Sequence, residues 1–136
     1  MKVTVDTTVL ISATFWYGAS DKIIAKVERK EIQLMLSRDI IKEYAKVLDY
    51  KEIKDKILNK NLEMKRSINK IISLSTIVEP IEKLNIVKDD LDDNKILECA
   101  KTGKVNYIIS QDEHLLKLKE FGGIKILTPK EFLNLS

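Results

Sequence analysis

Residues 2–11 read KVTVDTTVLI, and the fold turns on how that run is divided. Val3 and Val5 alternate with polar neighbours, the period of a strand with a buried face. β-branched residues continue to Ile11, and within this otherwise apolar run one acid intervenes, Asp6. The first strand is therefore read as ending near Asp6. A carboxylate there projects from the carboxyl end of a strand, where open α/β sheets place their ligands. Alternatively, the Asp6-Thr7-Thr8 segment caps a turn through side-chain bonds to backbone N–H groups.

Beyond this run, strands and helices alternate. Ser20 is placed to cap a helix over 21–30, in which Ile23, Ile24 and Val27 recur at helical spacing. A short strand over 32–36 follows, and Ser37 caps a helix whose apolar stripe is Ile40, Ile41, Tyr44, Val47 and Leu48. Residues 51–73 again read as helical, through Ile53, Ile57, Met64, Ile68 and Ile71, as one bent helix or two. A strand over 74–78 is ended by Pro80. The acidic stretch 88–93 leads into a helix of about ten residues, with Gly103 in the position a helix C-cap prefers. Residues 105–110 are a buried strand. Then come a helix over 113–119, a Gly122-Gly123 turn, a strand over 124–127 and a terminal helix opened by Pro129. Connections too long for hairpins predict one α/β sandwich domain with a parallel central sheet.

The chain has 136 residues, with 24 Lys and Arg against 21 Asp and Glu, and a single Cys and a single His. That is the size of one ordinary domain. One Cys excludes an internal disulfide, and one Cys with one His excludes a four-ligand structural zinc site. No apolar run is long enough for a bilayer, and the N-terminus does not resemble a signal peptide, so a soluble cytoplasmic protein is expected. Residues 51–70 hold seven bases and three acids, a net +4 that leaves −1 for the rest of the chain. Such a segment is either a solvated helix face or a contact for an anionic polymer.

Among the acids, three more lie where an acid is out of place. Asp93 opens a helix in which Ile96, Leu97 and Ala100 follow at i+3, i+4 and i+7, so it occupies the first position of the buried stripe. An N-terminal cap is the alternative reading. Glu43, with Ile40 and Val47 at i−3 and i+4, flanks an apolar face. Asp112 follows the strand ending at Ser110, as a site residue or as a cap. All four acids fall at one edge of the predicted sheet. Carboxylates gathered there raise one another's pKa unless a cation offsets their charge. An oxygen-only set suits Mg²⁺ or Mn²⁺, which can bind a phosphate oxygen and sharpen a water nucleophile. The pattern points to metal-assisted phosphodiester hydrolysis.

Five segments together carry a resemblance: VTVDTTVLISA (3–13), SRDIIKEYAKVL (37–48), DDNKILECA (92–100), YIISQD (107–112) and ILTPKEFL (126–133). In this order and spacing the chain resembles the PIN-domain ribonucleases, and among them is similar to the small VapC-type toxins of toxin–antitoxin pairs. The resemblance implies a three-layer α/β/α sandwich and a Mg²⁺- or Mn²⁺-dependent nuclease acting on RNA, with Asp6, Glu43, Asp93 and Asp112 as metal-binding acids. Thr8 stands where the family usually has Asn or Ser, and keeps a hydroxyl donor for Asp6 or for a metal-bound water. Ser110 matches the family's hydroxyl two residues before the last acid, whereas Gln111 replaces a frequent Gly. Asp92 and Asn94 are read as solvent-exposed loop residues, or as assisting through water.

RNA is expected to approach through Lys60, Lys65 and Arg66 of the basic segment, with Lys95 as a local contact; with only three Arg in the chain, bidentate base reading has few donors. Phe15, Trp16 and Tyr17 cannot all face inward from one regular element, which suggests a homodimer or antitoxin contact near them. His114 is read as a surface or capping residue rather than a general base, and Cys99 as a packing residue. The rival readings are an RNA-processing nuclease of the same fold and a non-catalytic RNA- or protein-binding module, although the latter would be expected to lack an acid. A phosphatase with Asp6 as nucleophile would carry a second Asp where Thr8 stands. A receiver domain would show an acid pair after its first strand.

Overall fold

The computed structural model describes residues 1–60, 67–88 and 92–135. Strand β1 (Lys2–Val5) ends directly before Asp6, as the alternation of Val3 and Val5 predicts. Helix α1 (Thr7–Phe15) follows at once, where the sequence reading assigned no helix. Seven of its nine residues are buried, and the two that are not, Thr8 and Ser12, are small hydroxyl residues rather than charged ones, so the sequence shows no strong 3.6-residue period. Helix α2 (Ala19–Glu28) begins earlier than expected: Gly18 is its N-cap, and Ser20 is buried inside its first turn. Strand β2 (Gln33–Ser37) leads into α3 (Arg38–Leu48), where Ser37 is the expected cap and accepts the Ile40 N–H at 3.2 Å.

The described part of 51–73 forms two helices, α4 (Lys51–Asn59) and α5 (Ile68–Leu74). Met64, Lys65 and Arg66, named from the sequence, lie outside the described residues. Strand β3 (Thr76–Val78) precedes α6 (Asp92–Gly103), and β4 (Tyr107–Ile109) precedes the single-turn α7 (Glu113–Leu116). Gly103 is not the left-handed cap, since that conformation falls on Lys104 (φ 51°). Its smallness serves packing instead: a Cβ on Gly103 would lie 3.3 Å from the Met35 Cβ. The chain then forms β5 (Glu120–Phe121), β6 (Ile124–Leu127) and α8 (Pro129–Leu133). β5 and β6 pair antiparallel, a hairpin the sequence reading did not anticipate, across Gly122 and Gly123, both at positive φ (55° and 84°).

The six strands form one sheet in the order β3-β2-β1-β4-β6-β5, parallel except for β5. On one face the Thr4 hydroxyl lies 3.6 Å from the Cys99 thiol of α6. Val3, one residue earlier and so on the opposite face, pairs with Tyr107, whose ring meets Phe132 of α8 edge-on with centroids 5.7 Å apart. Helices thus cover both faces, with α2 packed on α8 and α1 on α2 and α3. The expected three-layer α/β/α sandwich is the fold. Its core includes the fully enclosed Leu10, Ile23, Ile24, Leu36, Leu97 and Ile108, each worth roughly 1.5–3 kcal/mol of burial. No helix among the described residues is long and apolar enough to cross a membrane.

From β1 the chain moves to β2 and β3 on one side, then returns to β4 on the other side of β1 and continues to β6. The direction of winding reverses between β1 and β4, the switch point at which open α/β sheets leave a crevice outside the carboxyl ends of their strands. Asp6 leaves β1 at that crevice and Ser110 leaves β4 beside it.

Candidate active site

Asp6 is 5% exposed and acts as the N-cap of α1. Its Oδ1 accepts the Val9 N–H at 3.0 Å, and its Oδ2 accepts the Ser110 hydroxyl and, at 3.3 Å, the Gln111 N–H. Ser110 is fully buried and held by its own N–H to the Leu127 carbonyl at 2.9 Å, while its Oγ also accepts the Asp112 N–H at 2.9 Å. One hydroxyl therefore ties the end of β1 to the turn that presents Asp112. Asp6 thus caps a helix, and it does so at the carboxyl end of β1, beside the switch point. Burial pushes its carboxyl above the usual carboxylate range. The hydrogen bonds from Ser110, Val9 and Gln111 pull it back, and the Asp112 charge pushes it further up.

Asp93, 6% exposed, sits in the first turn of α6, where the positive end of the helix dipole favours a carboxylate. Asp112 caps α7, its Oδ1 accepting the His114 N–H at 2.7 Å. Asp93, Asp112 and His114 each offer a ligating atom such that all three atoms lie within 4.8 Å of one another. This is the tightest gathering of metal-ligating groups among the described residues, and it contains the one histidine of the chain. Sequence reasoning set His114 aside. The Asp-x-His spacing at a strand end was the available signal, because a cap at Asp112 turns the residue two positions on back toward the cap. Asp6 stands one hydroxyl away from this group and is coupled to it through the charge of Asp112.

Glu43, half-buried on α3, lies in the adjoining groove with Asp92, Lys42, Lys46 and Lys95. The basic groups that line this groove are Lys42, Lys46 and Lys95. Lys95 is also engaged with acids, its Nζ 4.0 Å from Asp39 Oδ2 and 3.6 Å from Glu98 Oε1. Lys60 is exposed at the end of α4. Thr8 is exposed on α1, and the groups that hold Asp6 are those of Val9, Ser110 and Gln111. Asn94 is not a solvent-exposed loop residue: it is 3% exposed on α6, accepts the Ile86 and Val87 N–H groups at 2.9 Å each, and donates to the Val87 carbonyl at 2.8 Å. Four residues on, buried Glu98 accepts the Leu84 N–H at 2.9 Å. One face of α6 therefore docks the segment that leads from β3 toward Asp93.

Oxygen donors beside a single imidazole, with another carboxylate buried behind them, fit a divalent cation, which would offset a charge that burial disfavours. Fold and site together define an α/β domain with an acid-centred crevice at its topological switch point. The family model of the PIN domain matches residues 2–114, and the chain belongs to the PIN-domain family. PIN domains are generally nucleases that use divalent metal ions. None of the curated proteins matches the chain.

Proposed function

We propose that the protein is a ribonuclease dependent on Mg²⁺ or Mn²⁺ and that it is the toxin of a VapC-type toxin–antitoxin pair. The observation that carries the nuclease reading is the convergence of Asp93 and Asp112 at the β1–β4 crevice, beside buried Asp6, in a PIN domain. Asp6, Glu43, Asp93 and Asp112 are the acids assigned to the cation. When bound, a divalent ion supplies positive charge to a phosphate oxygen and makes water a competent nucleophile near neutral pH. The chain's own part is positional. Ser110 holds Asp6 and the Asp112 turn in one register. The α6 dipole and the Asn94 and Glu98 contacts fix where Asp93 emerges. Lys42, Lys46 and Lys95 line the groove through which a phosphate chain reaches the acids, and Lys60, Lys65 and Arg66 of the basic segment are assigned as further phosphate contacts. No protein side chain becomes covalently attached to the substrate in this scheme.

Total cellular RNA incubated with the protein and Mg²⁺ or Mn²⁺ is expected to acquire discrete new ends, found by mapping. They should be absent with chelator and absent with Asp93→Asn, whose circular dichroism stays native. Cleavage undiminished in chelator would overturn the scheme. Growth arrest on expression of the wild type but not of Asp93→Asn separates a toxin from an RNA-processing nuclease. The assignment of a homodimer or antitoxin contact now centres on Tyr17, which is 86% exposed. Phe15 is buried, and Trp16 is half-buried with the Lys56 Nζ 5.1 Å from its ring centroid. Tyr17→Ser should lower the mass found by light scattering if that contact is a dimer, and an unchanged mass together with unchanged antitoxin binding counts against it.

A further inference from the structure

We propose that His114 supplies an imidazole nitrogen to the cation held by Asp93 and Asp112, and that this nitrogen makes the centre select Mn²⁺ over Mg²⁺. The proposal rests on the reading above that these acids hold a cation, and adds to it a ligand of a different chemical class.

Two independent observations point to the imidazole. The first is proximity: the ligating atoms of Asp93, Asp112 and His114 lie within 4.8 Å of one another. In octahedral coordination, donors about 2.1 Å from one ion lie about 3.0 Å apart when adjacent and about 4.2 Å apart when opposite, so three donors within 4.8 Å of one another need to close by up to about 1.8 Å. That is within the reach of side-chain rotation alone. The second is the state of the ring nitrogen. The His114 side chain is 41% exposed as a whole, yet its Nδ1 is buried and makes no hydrogen bond. It faces the Asp112 Oδ1 at 3.5 Å. A surface histidine ordinarily gives its nitrogens to water; here the ring edge reaches solvent while Nδ1 turns inward beside a carboxylate. The backbone explains the orientation, because the His114 N–H is fixed on that same Oδ1 at 2.7 Å.

The consequence is selectivity. Mg²⁺ demands oxygen ligands and gives up its water reluctantly, whereas later divalent ions of the first transition row accept imidazole with rising affinity. Replacing one oxygen or water donor by nitrogen therefore costs Mg²⁺ more than Mn²⁺. A metal-bound imidazole is held in place by a hydrogen bond from its other ring nitrogen, and the 41% exposure of the His114 side chain lets water serve as that partner.

Mn²⁺ is the probe, because it is paramagnetic and its bound nitrogen nuclei are visible by electron spin-echo modulation. With tag-free protein, His114 is the chain's one source of imidazole. The wild type should bind Mn²⁺ with the modulation of a coordinated imidazole. In His114→Ala, Mn²⁺ should still bind but without that modulation, and the ratio of Mg²⁺ to Mn²⁺ dissociation constants, read by titration, should fall by roughly tenfold or more. Mn²⁺ bound without imidazole modulation in the wild type overturns the role of His114 and leaves the acid site standing. Failure of the wild type to bind Mn²⁺, or binding unaffected by Asp93→Asn and Asp112→Asn, overturns the acid site and the proposal with it.

Discussion

Asp6 is a carboxylate whose position is bought with burial, and Ser110 is the residue that makes this tolerable. The Ser110 hydroxyl donates to Asp6 Oδ2 and accepts from the Asp112 N–H, so its loss leaves the buried Asp6 one donor short and the part-buried Asp112 N–H without its acceptor. Hydrogen bonds to charged or buried groups are worth more than exposed neutral ones, and an abandoned partner adds its own desolvation cost. Ser110→Ala should lower the unfolding free energy of the metal-free protein by roughly 1–3 kcal/mol, measured by urea denaturation. Thr8→Ala, at an exposed position on α1, should change it by less than about 0.5 kcal/mol. Equal effects of the two substitutions would mean that Ser110 is not the support described here. The contrast separates two hydroxyls that look alike in the sequence, where both flank an acid of the site.

At the scale of elements, α6 has two roles: it presents Asp93, and through Asn94 and Glu98 it fastens the chain that arrives from β3. Asn94→Ala removes three hydrogen bonds made by a single amide, with a cost of about 2–3 kcal/mol. The sharper readout is local. The Ile86 and Val87 amides, which Asn94 accepts, should exchange with solvent faster in the variant, while those of β4 change only as far as global stability does. Unchanged exchange at both amides would show that the segment is held by other means. This double role also marks where the sequence was legible. β1, β2 and β6 could be read from alternation or apolar runs, and the Ser37 cap from its residue type. Asp6 and Asp93 stood out because an acid interrupted an apolar pattern. Helix α1 was hidden for the same physical reason that it is useful. It packs against α2 and α3 with seven of its nine residues buried, and its polar residues are small hydroxyls, so apolar and charged positions do not alternate with a helical period. Asn94 was misread because a polar residue in an acidic stretch looks solvated. Its partners are backbone groups, which leave no trace in the sequence. Strand β5 of the hairpin is two residues long, too short for any pattern to register.

For the whole molecule, Cys99 offers a way to connect the site to global opening. It lies on the face of α6 against the sheet, fully enclosed, 3.6 Å from the Thr4 hydroxyl and 3.7 Å from the Met35 carbonyl. Burial pushes its thiol up to about 11, with the Thr4 bond pulling the other way. At pH 8 the folded protein therefore presents almost no thiolate to an alkylating reagent, and labelling requires α6 to leave β1 and β2. The same departure carries Asp93 away from Asp112, so the opened form cannot keep the site that a cation needs. A cation that binds the closed form and not the opened one slows labelling by the factor 1 + [M]/Kd. At one hundred times Kd this is about a hundredfold, equivalent to about 2.7 kcal/mol of added stability. Labelling of the wild type at pH 8 should thus be slow, become fast in denaturant, and be slowed further by Mn²⁺ in proportion to site occupancy. Asp93→Asn should abolish the Mn²⁺ effect while leaving Cys99 protected in the absence of metal. If Mn²⁺ slows labelling equally in wild type and variant, the ion stabilises the molecule from somewhere other than the β1–β4 crevice. If it slows neither, the closed form does not hold the ion at all.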